Sequence, residues 1–237
     1  MRLSSSLPLI TNLTVLLFAW TPARADQRPW VWTYGSALME PGAAEIEHYL
    51  TLQSPDWSRR EVNLRAVHQL EVEVGMGERL DAAVYQVFAR DPGAPLDWEG
   101  FKLRLRWRLA RDPDALGHPV LYLEHENDAS LSASAWEAKL LLSQRWGRVD
   151  LALNPEAEFT PDELEFSLAA GINLRVTRLL GLGAEARVKE DALWLGPVLS
   201  HGGDGLWLAL GAGWRVGAEP GETTHEVRLI MGVQVKD

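Results

Sequence analysis

Apolar and polar side chains alternate along this chain in stretches of nine residues or more. A period of two sustained over that length fixes extended strands and excludes amphipathic helices. The clearest stretch is FKLRLRWRL, in which Phe101, Leu103, Leu105, Trp107 and Leu109 alternate with Lys102, Arg104, Arg106 and Arg108. In AEIEHYLTL, Ile46, His48, Leu50 and Leu52 share one face, and Glu45, Glu47, Tyr49 and Thr51 the other. VNLRAVHQLEVEV sets Val62, Leu64, Leu70, Val72 and Val74 against Asn63, Arg65, Gln69, Glu71 and Glu73, and GMGE follows as a turn. RLDAAVYQVFAR reads as a strand whose facing the pattern does not assign.

Further along, VLYLEHE sets Leu121 and Leu123 against Glu124 and Glu126. WEAKLLLSQRW places Trp136, Ala138, Leu140 and Leu142 opposite Glu137, Lys139, Ser143 and Arg145. In VDLALNPEAEF, Val149, Leu151, Leu153, Ala157 and Phe159 oppose Asp150, Asn154, Glu156 and Glu158. ELEFSLAAGINL, LLGLGAEARVK, DALWLGPVLS, LWLALGAGWRV and HEVRLIMGVQV complete the set, separated by turn signals such as GGDG and AEPGE. The count is about twelve strands of roughly ten residues, the length a tilted membrane strand needs.

Two architectures produce this pattern. A soluble barrel or sandwich turns its apolar face inward, whereas a transmembrane barrel turns it to lipid and keeps the charges in its lumen. Strand length favours the second, because strands of soluble domains average about five or six residues. Tryptophan placement does too. Ten of the eleven tryptophans follow residue 25. Many, including Trp57, Trp98 and Trp146, lie by turns, where an interfacial aromatic belt belongs. Charge pairing is the third feature. A hairpin with Arg108 beside Tyr122 brings Arg106 to Glu124 and Arg104 to Glu126, and acids and bases nearly balance over the polar faces. Pro155 and Pro197 inside strands mark a bulge, a strand end or a misplaced boundary. Gly171, Gly181, Gly183, Gly211 and Gly213 on polar faces suit strong curvature or close approach of inner side chains.

The first 25 residues read as a secretory leader: Arg2, the apolar LPLITNLTVLLFAW, and Ala23-Arg24-Ala25 before cleavage at Asp26. The exported part, residues 26–237, reads as one barrel domain. Without Arg2 and Arg24 it keeps 21 basic against 33 acidic residues, a net charge of −12, which argues against nucleic acid as a partner. The chain has no cysteine, so disulfides and thiolate metal sites are excluded.

YLEHENDASLSASAWEAKLLLSQRWGRVDLALNPEAEF resembles the central hairpins of proteobacterial outer-membrane barrels, and WTYGSALMEPGAAEIEHYLTL their first-strand region. The set is largely uncharacterised. It is similar to the barrel family found with phenol-degradation pathways and, more distantly, to copper resistance protein B. The resemblance implies an outer-membrane location and a transport role, and transfers no catalytic residue. The chain departs from such barrels in ending VQVKD, where they commonly carry a terminal aromatic residue.

Catalytic constellations are weak. An outer-wall lipid hydrolase would place His and Ser two positions apart on one strand face. The residues two after His48, His68, His118, His125, His201 and His225 are Leu50, Leu70, Val120, Asn127, Gly203 and Val227. No HExxH or clustered His and carboxylate pattern supports zinc. The pairs Glu156 with Glu158 and Glu163 with Glu165 read as a charge network rather than acid–base machinery. His48, His68 and His125 lie on otherwise apolar faces, fitting an interfacial belt or a slipped register.

The expectation is an all-β fold: one antiparallel up-and-down transmembrane barrel of about twelve strands in the outer membrane. It is not an enzyme, it needs no cofactor or metal, and its partners are outer-membrane lipid and a small solute. Lys102, Arg104, Arg106, Arg108, Glu124, Glu126, Glu137, Lys139, Glu156 and Glu158 are expected to line the lumen of a small-solute pore. The alternatives are a closed structural barrel and a soluble periplasmic barrel that binds an apolar ligand among inward leucines.

Overall fold

A computed structural model describes residues 28–112, 115–189, 192–203, 205–219 and 222–235. The leader and its cleavage site lie outside the described residues. Twelve strands follow in order: β1 Ala44–Ser54, β2 Arg65–Gly77, β3 Leu80–Arg90, β4 Asp97–Arg108, β5 Val120–Asp128 and β6 Ser134–Trp146, then β7 Val149–Phe159, β8 Leu164–Arg175, β9 Leu180–Lys189, β10 Ala192–Gly202, β11 Leu206–Val216 and β12 His225–Val235. Each pairs antiparallel with its chain neighbours, and β12 closes on β1 from Ala44↔Val235 to Ser54↔His225. An eleven-residue strand is about 37 Å long and, tilted by about 40–45°, rises about 26–28 Å, close to the height of the apolar band of an outer-membrane barrel.

β1 begins and β12 ends at the same mouth, called proximal here. Two-residue turns follow β2 and β6 at that mouth, with the longer 109–119 connection after β4. The distal mouth carries the 55–64 connection, with a 3-10 turn at Trp57–Arg59 and α1 at Arg60–Asn63, and the 91–96 and 217–224 connections.

The leucines face outward. Leu70, Leu103, Leu105, Leu153, Leu168, Leu182, Leu195 and Leu210 are exposed on the wall, while Glu45, Glu47, Glu71, Glu73, Arg104 and Arg106 are buried inside. The soluble alternative required the opposite facing. Five tryptophans, Trp98, Trp107, Trp136, Trp146 and Trp214, stand exposed near strand ends. Trp30, Trp32 and Trp207 are instead buried within the barrel, so the belt holds only part of the tryptophan content.

Several local expectations are corrected. Val62 and Asn63 belong to α1, and β2 runs from Arg65 through the glycines of GMGE, so that the turn is Glu78–Arg79. β3 turns Asp81, Ala83, Tyr85, Val87 and Ala89 inward. The β3–β4 ladder carries a bulge at Val87/Phe88, where Glu99 is the extra residue between Val87↔Gly100 and Phe88↔Trp98. Gly100 there has φ 146°, and the Asn127 carbonyl fills the space a side chain would need. β4 and β5 pair two residues away from the expected register: Arg106↔Tyr122, Arg104↔Glu124 and Lys102↔Glu126. A slip of two keeps every side chain on its face, so the alternation could not detect it.

Pro155 and Pro197 sit neither at bulges nor at strand ends. Each keeps its pairing on one side, Pro155↔Leu168 and Pro197↔Ala184. On the other side the ladder is interrupted without loss of register, between Lys139↔Glu156 and Leu142↔Leu153 and between Leu195↔Trp214 and Val198↔Gly211. Proline has no N–H to donate there.

Candidate functional site: the barrel lumen

The 28–43 segment folds back into the lumen from the proximal mouth. WTYGSALMEPG is therefore not part of the first strand, which starts at Ala44. The segment has no ladder partner along most of its length, so side chains of the wall satisfy its backbone. The Glu185 carboxylate accepts the N–H groups of Val31 and Trp32 at 2.9 Å and of Thr33 at 2.6 Å. Asn154 accepts from Tyr34 N–H at 2.6 Å and donates to the Tyr34 carbonyl at 3.0 Å. Ser143 Oγ accepts from Ser36 N–H at 3.0 Å, and Asp81 from Met39 N–H at 3.1 Å. Gly42 and Gly75 close the segment onto β2 at 2.9 Å.

Glycines in the wall make the seat. A Cβ on Gly171 would meet Trp30, one on Gly211 would overlap Val31, and one on Gly213 would touch Trp32 at 3.3 Å. These positions were read from sequence as suiting close approach of inner side chains. What approaches them is an inserted segment with no periodicity of its own, which the alternation does not reveal. Its signal was the glycines on the inner faces of β8 and β11, which leave a space that something must fill.

Beside the segment lies a buried ion network. Arg104 pairs with Glu71 and with Glu73, both at 2.7 Å. Arg106 bridges Glu73 and Asp81, the latter at 2.8 Å. Arg28, from the inserted segment, donates to Tyr49 OH at 2.6 Å and lies 3.7 Å from Glu47 and 3.9 Å from Glu71. Tyr49 OH in turn donates to Glu47 and Glu71. These groups pair with one another in the buried interior, where a lone charge would be costly. The acids facing Arg104 and Arg106 come from β2 and β3, not from β5 as the expected hairpin had it.

Above the segment, toward the distal mouth, lies a cavity of about 220 Å³. Trp32, Tyr34, Tyr85 and Tyr122 contribute aromatic surface, and Lys102, Lys139, Arg187, Lys189 and Arg228 are its cations. Lys102 holds Glu124 at 3.1 Å and Glu126 at 2.6 Å. Lys139 holds Glu137 at 2.8 Å and Glu156 at 2.9 Å, and Lys189 holds Glu158 at 3.0 Å.

The ten residues singled out from sequence thus fall into three places. Lys102, Glu124, Glu137, Lys139 and Glu156 line the distal cavity, with Glu126 and Glu158 paired to its lysines. Arg104 and Arg106 belong to the buried network. Arg108 shares their face at the proximal end, paired with Val120. Among the described residues, two carboxylate triplets are close enough to share a metal ion, Glu47–Glu71–Glu73 and Glu137–Glu156–Glu158. Arginines neighbour the first, and Lys139 and Lys189 the second, so the chain supplies cations to both. His48 and His68 keep their outward facing near mid-strand and bond each other at 3.2 Å, without a register slip. His125 stacks on Trp136, with ring centroids 4.3 Å apart.

No protein-family model and no curated protein matches the sequence. Solved structures do match. One is the KdgM porin in complex with disordered oligogalacturonate, at 12% identity and TM-score 0.58, covering 81% of this chain and 99% of that one. Another is the COG4313 outer membrane channel from Pseudomonas putida F1, at 9% identity and TM-score 0.57, covering 84% and 97%. The chain shares the fold of these two structures. At these identities the likeness extends to the fold and not to any ligand.

Proposed function

We propose that the protein is a small outer-membrane pore whose proximal half is closed by its own inserted segment. The observation that carries this reading is the inverted wall: a closed twelve-strand barrel with leucines outside and charges inside. Exposed leucine on every side is costly in water and favourable in lipid. With an even number of strands, both barrel ends lie on the periplasmic side, so the segment enters from the periplasm and the 220 Å³ cavity opens toward the cell exterior. Residues 1–25 direct export and are removed. A small solute would enter the distal cavity, meet neutralised charge pairs, and pass only when the segment withdraws. The resemblance to the phenol-degradation-associated barrels and to copper resistance protein B, and the fold shared with two channels, support transport rather than catalysis.

The packed proximal half also favours a second reading, a closed structural barrel. Membrane fractionation, gel mobility with and without boiling, and bilayer conductance separate the possibilities. Outer-membrane recovery, a heat-dependent mobility shift and current across the bilayer support the pore. Recovery in the soluble periplasm without a shift sinks the membrane reading. A shift without current, even when the segment is displaced, leaves the structural barrel.

A further inference from the structure

We propose that the distal cavity contains a binding site for a small monocarboxylate, with the ligand carboxylate on Arg228. The proposal rests on the pore reading for the ligand's route of entry, and on the local charge balance for how the ligand is held.

Arg187 on β9 and Arg228 on β12 both line the cavity. The carboxylate beside them is Glu226, and both its oxygens are engaged. Oε1 accepts from Gln53 Nε2 at 2.8 Å, and Oε2 is paired with Arg187. Arg228 donates only to neutral acceptors, Thr51 Oγ1 at 2.8 Å and the Val31 carbonyl at 3.2 Å. Every other cation of the cavity holds a carboxylate. Among the described residues, then, two guanidiniums stand beside one acid in this corner of the cavity, a local excess of one positive charge, whereas on the lysine side five acids, Glu124, Glu126, Glu137, Glu156 and Glu158, meet three lysines.

That local excess favours a single carboxylate on Arg228, because a second one would face the acid-rich lysine side of the cavity. A guanidinium has five N–H donors in a planar fork, and the bonds of Arg228 use only its Nε and Nη1. The fork matches the two oxygens of a carboxylate. The remaining surface suits the body of the ligand. Trp32 forms the floor, with the Arg187 guanidinium 4.8 Å and the Arg228 guanidinium 5.9 Å from its ring, and Trp194 lies 5.0 Å from Arg187 on the other side. At about 220 Å³ the cavity has room for a single ring or a short chain.

Titration calorimetry on the full exported chain in detergent tests this. The probes are sodium benzoate and sodium glucuronate, with benzamide and glucose as uncharged controls. The expected result is binding of at least one acid, at least tenfold weaker binding of its control, and a tenfold or greater loss in Arg228→Gln. Whether benzoate or glucuronate binds distinguishes an aromatic from a sugar acid. Glu226→Gln removes the competing acid and should tighten binding, a change opposite in sign that does not depend on the first variant folding. Arg65→Gln, outside the cavity, should change nothing. Equal binding of acid and control, no binding of either acid, or indifference to both Arg228→Gln and Glu226→Gln would overturn the site. A protein that binds benzoate yet passes no current keeps the site and loses the pore. One that conducts yet binds neither acid loses only the site.

Discussion

Trp30 occupies the space that a side chain on Gly171 would need: a Cβ there would come within 2.5 Å of the indole Nε1. Wall and segment are fitted to each other. Gly171 lies within β8, so a larger residue there should leave the strand paired and expel the indole. Gly171→Leu is expected to raise single-channel conductance several-fold while the heat-dependent gel shift persists. Unchanged conductance with the shift retained would show that the segment is not the barrier.

Glu185 is the main anchor of the segment's backbone, through three N–H donors on one carboxylate. Charge-assisted bonds of this kind are roughly twice as strong as neutral ones. Glu185→Gln keeps one acceptor oxygen and replaces the other with a donor. It should weaken seating of the segment by about 1–3 kcal/mol. Hydrogen exchange at Val31, Trp32 and Thr33 reports this directly, and these amides should lose protection before the strands do.

The two kinds of ion pair predict different costs. Arg106 is buried between Glu73 and Asp81, and Arg106→Met leaves both acids without it. The expected loss is about 3–5 kcal/mol in the folding equilibrium. Arg65 pairs with Glu99 at 2.6 Å near the distal mouth, with both side chains more than a third exposed, and Arg65→Ala should cost less than about 1 kcal/mol. Urea titration in lipid vesicles measures both. Similar losses would mean that the network is far more hydrated than its burial implies.

Leu153 stands on the outer wall near the middle of β7, and Leu164 at the distal end of β8. In a bilayer, Leu153→Arg should destabilise by about 2–4 kcal/mol and Leu164→Arg by about 0–1 kcal/mol. The same titration reads the difference. Equal costs at the two depths would argue that no lipid gradient acts on the wall.

The barrel was legible wherever inner and outer residues differ sharply in polarity. Glu45, Glu47 and Tyr49 against Ile46, His48 and Leu50 fix the facing of β1, and Asp150 and Asn154 against Leu151 and Leu153 that of β7. β3 defeats the pattern because Ala83, Tyr85 and Val87 inside differ little from Ala82, Val84 and Phe88 outside. The same contrast marks the polar faces of the strands but not which charges pair across them. Arg104 reaches Glu71 across β3, a contact between strands two apart on the curved wall that no pairwise alternation contains. The inserted segment was hidden for a different reason. RPWVWTYGSALMEPG has no period, and its fold depends on acceptors supplied by four distant strands.

Those acceptors sit at different places around the barrel: Glu185 on β9, Asn154 on β7, Ser143 on β6 and Asp81 on β3. A pull out of the proximal mouth at Arg28 would load them one after another, not all at once. The segment would peel like a strip of tape, starting with Arg28 and Glu185, while the Gly42–Gly75 bonds hold its other end to β2. Peeling needs far less force than shearing the same bonds together, and a strip tethered at one end can return to its seat.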